Sequence, residues 1–374
     1  MVFDTIGIFT DAHRTDADST DRRFRFHLSG PRFYSESEAD IEAACTAFNT
    51  DCDAVVELGD FIDIHSDNSL SEGNTNTHDT GAEGEVILAA AEADFATFTG
   101  PYYHVLGNWE MYDYDFDIPA NWFKYIRNGT RSPETLTELS ATTYNDVDGN
   151  PKAARYYAFE LPNGAIGIVL DTTGKTADGD EHYANEDTTK STAGGNYVPA
   201  TQRTWLAATL AAHEDVPILI FTHYWLYPEI TGYYNCGNDD TVRGLLETHN
   251  SNMISGSKAG RVVAVFSGHH HPGTEGWWKD NVDPEIYAEL DAANQVFGIE
   301  LNNIKYFNLR GLICGWGSDS GGSTNNGSGG EATPANSYYK VKVGEFVKDV
   351  FDVKVTGYGA NPVGESYETN YFVG

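Results

Sequence analysis

The sequence predicts an α/β protein in which helices pack on buried β-sheets. Short apolar runs rich in β-branched and aromatic residues alternate along the chain with segments whose apolar residues recur at helical spacing. The last part of the chain is rich in β-type runs. Strands that alternate with helices are typical of sheets covered by helical layers.

The first third of the chain alternates between strands and helices. The stretch 3–11 is an apolar run that ends in an aspartate, as expected for a buried strand. In 35–49, Ile41, Ala44, Cys45 and Phe48 recur at helical spacing. The next elements are a strand over 53–60, a helix over 83–99 and a strand over 102–108.

The remainder continues this alternation and then becomes β-rich. A Pro-Asn-Gly turn separates the strands predicted at 155–161 and 165–172. The later predictions, in order, are a helix near 199–213, a strand at 216–223, a helix near 239–249, a strand at 261–269, and β-type segments at 304–313, 337–346 and 349–358.

We expect a single domain over residues 1–374. The sequence has no internal repeat and no composition shift that marks a domain boundary. Three polar stretches near 63–82, 174–197 and 318–336 are expected to be loop insertions.

The charge of the chain excludes several classes of partner. The 23 basic and 56 acidic residues give a formal net charge of −33. Nucleic acids and anionic membranes are bound by clustered Lys and Arg, so neither surface is expected here. The charge favours a salt-adapted, halophilic protein, with a calcium-rich acidic surface as the alternative.

The cysteines and apolar segments exclude further possibilities. The four cysteines form no C-x-x-C pair, so a cysteine zinc site is not expected. The sequence contains no apolar stretch long enough to span a membrane. The opening MVFDTIGIFTD lacks the basic and apolar regions of a signal peptide, which favours a cytoplasmic protein, and a trimmed export signal stays open.

Residues with metal-ligand chemistry follow five of the β-type runs. In open α/β sheets, ligands gather beyond the carboxyl ends of the strands. A lone Asp, Asn or His at such a place is explained by a turn or a buried hydrogen bond, but five successive strand ends are not. The residues are Asp11 and His13, Asp60 and Asp63, Asn108, His223, and His269 and His271.

In an extended chain, the three successive histidines at 269–271 cannot all point to the same side. Because side chains alternate along such a chain, we expect His269 and His271 to share a face and His270 to point away. The same alternation predicts a shared face for Asp11 and His13.

These segments resemble the motifs of the calcineurin-like metallophosphoesterases. DAH, GDFID, GNWE, TH and GHHH stand in the family's order between residue 5 and about residue 275. The resemblance implies a four-layer α/β/β/α sandwich of two mixed sheets flanked by helices. It also implies a phosphoric ester hydrolase with two bound metal ions and a small phosphorylated substrate.

The resemblance also implies a ligand set that shares Asp60. Asp63 would orient a ligand, or would cap a helix. Mixed carboxylate, imidazole and amide ligands suit Mn, Fe, Zn or Ni, of which we favour Mn. The first ion would be held by Asp11, His13, Asp60 and His271, and the second by Asp60, Asn108, His223 and His269.

A finer resemblance concerns the later segments. GGNYVPATQRTWL, YFNLRGLI and NSYYKVKV are similar to segments of the manganese-dependent ADP-ribose/CDP-alcohol diphosphatase group. This similarity favours a phosphodiesterase or nucleotide-type diphosphatase, with a phosphomonoesterase as the alternative.

Trp109 departs from the family pattern at the position of the histidine that protonates the leaving group. An indole cannot act as a general acid at neutral pH. The substrates could have acidic leaving groups, another histidine such as His65, His78 or His182 could supply the proton, or the domain could be a catalytically silent metal-binding scaffold. Trp109 could also stack on a nucleobase or pack beneath a loop.

Arg14 is a candidate phosphate contact because it directly follows the first motif. A surface ion pair is the alternative role for its guanidinium.

Overall fold

The computed structural model describes about half of the sites singled out above and most of the predicted strands and helices. The described residues are 5–14, 37–62, 81–107, 144–145, 151–152, 156–161, 164–173, 197–226, 236–269, 298–301, 304–309, 311–312, 338–347, 350–358 and 367–373.

Two six-stranded sheets form the centre of the protein. The first sheet has the strand order β14-β13-β12-β1-β2-β3, with β1, β2 and β3 parallel. Its strands are β1 (Thr5–Phe9), β2 (Ala54–Glu57), β3 (Tyr102–His104), β12 (Tyr338–Val347), β13 (Val350–Tyr358) and β14 (Tyr367–Val373).

The second sheet has the order β10-β11-β9-β8-β7-β6. Its four inner strands run parallel, and the edge strands β10 and β6 are antiparallel. Its strands are β6 (Tyr157–Glu160), β7 (Ile166–Val169), β8 (Ile218–Thr222), β9 (Val262–Ser267), β10 (Gly298–Leu301) and β11 (Ile304–Asn308). A separate ribbon pairs β4 (Tyr144–Asn145) with β5 (Pro151–Lys152).

Helices cover the outer face of each sheet. α1 (Ser37–Phe48) and α2 (Gly81–Phe95) pack on the first sheet through an apolar cluster that includes Phe9 and Val55. α3 (Ala200–Ala212) and α4 (Asp239–Ser255) pack on the second sheet through a cluster that includes Ile220. None of the helices in the described part of the chain is both long and apolar enough to cross a lipid bilayer.

The inner faces of the two sheets share one apolar core. Its members come from both sheets and include Ile8 and Val56 from the first and Leu219 from the second. Tyr103 of the first sheet stacks on Phe159 of the second, with 3.6 Å between ring centroids. The four-layer α/β/β/α architecture expected from the sequence is therefore confirmed.

Aromatic rings run across the inner face of the second sheet. Phe221 stacks between Phe159 and Phe266, and Phe266 stacks on Phe307 at 5.0 Å. β7 has Gly167 opposite Phe159, where a Cβ would lie 2.2 Å from the Phe159 ring. This packing fixes the register of strands whose carboxyl ends carry the polar residues.

The sequence predicted most elements but missed some edge strands. β10, β14 and the β4–β5 ribbon were not predicted, and α4 extends to Ser255 beyond the expected end near 249. Edge strands bury one side at most, so their apolar pattern is weaker.

Gly260 provides a test of the packing at the opposite end of the second sheet from the polar residues. A Cβ at Gly260 would lie 2.2 Å from the main-chain oxygen of His213, and backbone cannot move as a side chain can. We expect Gly260→Ala to lower the free energy of unfolding by about 1–3 kcal/mol or more, as measured by denaturant titration with circular dichroism.

The matched control is Gly244→Ala in the interior of α4, where nothing lies within 4 Å of the added Cβ. This change should stabilise the protein by about 0.5–1 kcal/mol. Equal stability of the two alanine variants would contradict the packing described here.

Candidate metal centre

The candidate metal centre lies where the carboxyl ends of strands from both sheets meet. The segments after β1 and β2 in the first sheet contact those after β8 and β9 in the second. His223 Nδ1 lies 2.8 Å from the carbonyl oxygen of Leu58. The amide of His269 donates to Asp11 Oδ2 at 3.0 Å. Polar contacts therefore join the two sheets at this edge.

Two groups of side chains here have the geometry to hold a cation, and they share Asp60. Within each group the potential ligand atoms lie within 4.8 Å of one another. Asp60 is 1% exposed. The groups are Asp11, His13 and Asp60, and Asp60, His223 and His269.

The distances place the Asp60 carboxylate between the groups. Its Oδ2 lies 3.9 Å from His13 Nε2 on one side and 3.3 Å from His223 Nε2 on the other. Asp11 Oδ1 lies 4.0 Å from His13 Nε2. The Asp60 carboxylate is thus close to imidazoles of both groups, and its bridging role stays a prediction.

Residues 58–61, here called the Asp60 turn, organise the surrounding residues through their main-chain carbonyls. The carbonyl of Leu58 faces His223 Nδ1, and that of Gly59 accepts from the amide of Asp11 at 3.0 Å. The carbonyl of Asp60 accepts from the amide of His13 at 2.9 Å. The contact to Leu58 leaves His223 Nε2 directed toward Asp60.

Four of the five candidate ligands in the described part of the chain occupy strained backbone. A left-handed conformation is uncommon outside glycine, although Asp and His adopt it more readily than most residues. Such residues cost about 1–3 kcal/mol each and cluster at functional sites. Positive φ angles are found at Asp11 (53°), His13 (45°), Asp60 (54°) and His269 (67°), as well as at Ser257.

This backbone corrects one argument made from the sequence. Strand alternation was expected to place Asp11 and His13 on one face, but β1 ends at Phe9 and both residues are left-handed. They lie together because of the loop conformation. β9 ends at Ser267 and His269 is left-handed, but His271 lies outside the described residues, so the shared face of His269 and His271 stays a prediction.

The two glycines beside the candidate ligands are packed so closely that a larger residue would not fit. Gly59 has φ +95°, and a Cβ there would lie 2.6 Å from the Gly107 nitrogen and 2.7 Å from His223 Nδ1. A Cβ at Gly268 would lie 1.9 Å from Thr10 Oγ1. The glycines of the GD and GH motifs therefore let the loops of the two sheets approach each other.

Burial makes the charge of Asp11 costly. It raises the pKa of Asp11 to about 8, and the nearby carboxylates of Asp60 and Glu57 act in the same direction. His223 and the hydroxyl of Thr10 act in the opposite direction, and Thr10 Oγ1 donates to Asp11 Oδ2 at 2.8 Å. A bound cation would favour the ionised form of this carboxyl.

The histidines of the second group pack against each other and against an aromatic ring. His223 Nε2 lies 3.2 Å from His269 Nδ1. The ring of Tyr224 lies 4.3 Å from that of His269, and the Tyr224 amide donates to Thr172 Oγ1 at 3.0 Å. Tyr224 therefore limits the orientations open to His269.

Arg14 is engaged with carboxylates on the helical side of the first sheet. Its Nε donates to Asp94 Oδ2 at 2.7 Å, and one terminal nitrogen donates to Glu38 at 2.8 Å. Glu38 and Asp94, with Glu42, form a further acidic group that could hold a cation. The ion pair is the alternative role raised from the sequence, and the phosphate contact stays a prediction.

Several predicted site residues lie outside the described part of the chain. Asn108, Trp109 and His271 are among them, as are Asp63 and His270. Their predicted roles therefore stay predictions. Asn108 directly follows Gly107 in the sequence, and His271 is two residues beyond His269.

Sequence reasoning missed a buried charged cluster next to the Asp60 turn. Glu57 lies 3.2 Å from His104, which lies 2.7 Å from Glu92. Tyr102 donates to Glu92 at 2.9 Å. The available signal was a charged residue within each of the apolar runs DAVVELGD and YYHVLGN.

Comparison with solved structures identifies the fold. A dimetal phosphatase from Danio rerio matches over 100% of both chains with a TM-score of 0.61 and 15% sequence identity. The chain therefore shares the fold of this phosphatase. No family model and no curated protein matches the sequence. At this identity the metallophosphoesterase likeness extends to the fold alone, so activity needs a separate argument.

The raised pKa of Asp11 predicts how the stability of the metal-free protein depends on pH. The folded state retains a proton on Asp11 up to about pH 8, whereas the unfolded chain releases it near the ordinary value of 3.8. The stabilisation from this proton is complete below the unfolded pKa and is lost as the pH rises through the folded pKa.

We therefore expect chelator-treated wild type to lose unfolding free energy relative to Asp11→Asn between about pH 4 and pH 8, the range between the unfolded and folded pKa of Asp11. Denaturant titrations across this range measure the difference. Asp215→Asn, at an exposed position, is the control and should follow wild type. Parallel curves for wild type and Asp11→Asn would contradict the prediction.

Proposed function

We propose that this chain is a dinuclear metal-dependent phosphohydrolase. The observation that carries the proposal is the pair of potential cation-binding groups that share Asp60 where the two sheets meet. A fold shared with a dimetal phosphatase supports it. Asn108 and His271 would complete the ligand set at the positions that the motifs give them.

The donor set fits two ions of the borderline class. Each group combines carboxylate oxygen with imidazole nitrogen, which suits Mn, Fe, Zn or Ni better than softer metals. Mn is our preferred ion because of the diphosphatase-like segments. Bound cations would supply positive charge to hold a phosphate and to lower the pKa of an attacking water.

The residues of the chain would orient this chemistry. Asp60 lies between the groups, and the Leu58 carbonyl holds His223 so that Nε2 faces Asp60. Because the imidazoles of His13 and His223 are fully buried, they have little freedom to turn away. The site would thus be arranged before substrate binds.

Trp109 limits the substrates that such a site would cleave rapidly. General acid catalysis contributes about 10²–10⁴-fold, and an indole cannot provide it. An alkoxide leaving group would suffer most, whereas a phosphoanhydride or aryl group would leave with little help. This argument and the diphosphatase-like segments favour a phosphodiesterase or nucleotide-type diphosphatase.

A phosphomonoesterase is the second candidate function. The structural neighbour is described as a phosphatase, which favours this alternative at the level of the substrate. A silent metal-binding scaffold would retain the ligands and lack turnover.

We expect the Mn²⁺-loaded protein to cleave a bis-aryl phosphate and a nucleotide diphosphate-sugar faster than an aryl monophosphate. Because no histidine protonates the leaving group, kcat/KM should fall steeply as the pKa of the leaving group rises. Trp109→His should raise kcat/KM most for alkyl leaving groups, by up to about 10²–10⁴-fold.

The controls separate the alternatives. Asp60→Asn should abolish turnover, and the exposed Asp215→Asn should retain it. Faster monoester cleavage would establish the phosphomonoesterase, and no turnover with Mn, Fe, Zn or Ni would establish the scaffold. A leaving-group series with a flat profile would refute the role assigned to Trp109.

A further inference from the structure

We propose that Glu57, oriented by His104, is a positioning residue that holds the Asp60 turn in its cation-binding conformation. The role rests on the proposed function, because it concerns the carboxylate that both cation groups share. Glu57 ends β2, and Asp60 follows three residues later.

The first step is the contact between Glu57 and the turn. Glu57 Oε1 accepts a hydrogen bond from the amide of Gly59 at 2.7 Å, and the Glu57 side chain is fully buried. Gly59 has φ +95° and Asp60 has φ 54°. A charged acceptor beneath an amide is stronger than a neutral one, so Glu57 favours this strained conformation over others.

The Asp60 turn then orients the candidate ligands. Its carbonyls receive the amides of Asp11 and His13 and face the Nδ1 of His223. A rotation of the Leu58–Gly59 peptide, whose amide Glu57 holds, would turn the Leu58 carbonyl away from His223 and displace the Gly59 and Asp60 carbonyls that follow it. The effect of Glu57 therefore reaches both cation groups without direct contact to a cation.

The second step is the orientation of Glu57 by His104. The residues are partners in the parallel β2–β3 pairing, and His104 Nδ1 lies 3.2 Å from Glu57 Oε2. The other ring nitrogen lies 2.7 Å from Glu92 Oε1 on α2. The amide and carbonyl of His104 both contact the hydroxyl of Tyr157 from the second sheet, at 3.1 Å and 2.7 Å.

The third step is the positive charge of the His104 ring. Burial acts to lower the pKa of His104, but the carboxylates of Glu92 and Glu57 outweigh it and raise the pKa to about 10. The ring is therefore an imidazolium at neutral pH, hydrogen-bonded to Glu57 through Nδ1 and ion-paired with Glu92 through Nε2. A buried ionic cluster is a weak source of stability compared with apolar packing, which favours a positioning role.

The test compares Glu57→Ala with Glu92→Ala in the full chain. Each change removes one carboxylate from the same imidazolium, but only the first removes the acceptor of the Gly59 amide. We expect Glu57→Ala to weaken Mn²⁺ binding about 10–100-fold by calorimetric titration, and Glu92→Ala to weaken it less than about threefold.

Amide hydrogen exchange in the metal-free protein is the second readout. Exchange at Gly59 should accelerate in Glu57→Ala by at least about tenfold and stay near wild type in Glu92→Ala, since Glu57 rather than Glu92 holds that amide. Glu57→Gln keeps a neutral oxygen acceptor and should restore part of the affinity and protection. If Glu57→Ala does not fold, Glu57→Asp replaces it, because its carboxylate is one methylene too short.

The outcomes separate this inference from the proposed function. A wild-type protein that binds no Mn²⁺ or Zn²⁺ would overturn the proposed function, while exchange at Gly59 would still decide whether Glu57 holds the turn. Equal effects of the Glu57 and Glu92 changes on both readouts would overturn the positioning role. Loss in Glu57→Gln as large as in Glu57→Ala would overturn it too.

Discussion

Hydrogen bonds to the Asp60 turn hold the candidate metal centre in place. Its carbonyls accept from the amides of Asp11 and His13 in the first sheet and face His223 Nδ1 from the second. One short segment therefore sets the position of ligands that are more than 200 residues apart in sequence, since residue 11 and residue 223 meet there. Asp60 is left-handed and therefore strained, and this conformation persists because these contacts act together.

The packing of the two sheets places the Asp60 turn beside the ligands that it contacts. Stacking of Tyr103 on Phe159 and the row of rings on the second sheet set the relative position of the sheets at their shared core. Carboxyl ends of strands from both sheets then lie at one edge. Burial there raises the pKa of Asp11, so the metal-free protein keeps a proton on this carboxyl at neutral pH, and a bound cation would favour its release.

Much of this arrangement could be predicted from the sequence, and the exceptions have physical reasons. Strand-end Asp and His residues and the family motifs led to Asp60 and His223, which the structure brings together. Alternation gave a wrong reason for Asp11 and His13, because φ at a loop position depends on contacts with another segment. Glu57 and His104 were missed because their pairing spans 47 residues and follows from sheet order, which local pattern does not reveal.

The central claim is that two cations share the carboxylate of Asp60. Anomalous diffraction from crystals grown with Mn²⁺ tests it most directly. The account predicts two peaks roughly 3.5–4 Å apart, the spacing of two-metal hydrolases, on either side of Asp60. A single peak remote from Asp60, or no peak between the imidazoles of His13 and His223, would contradict it.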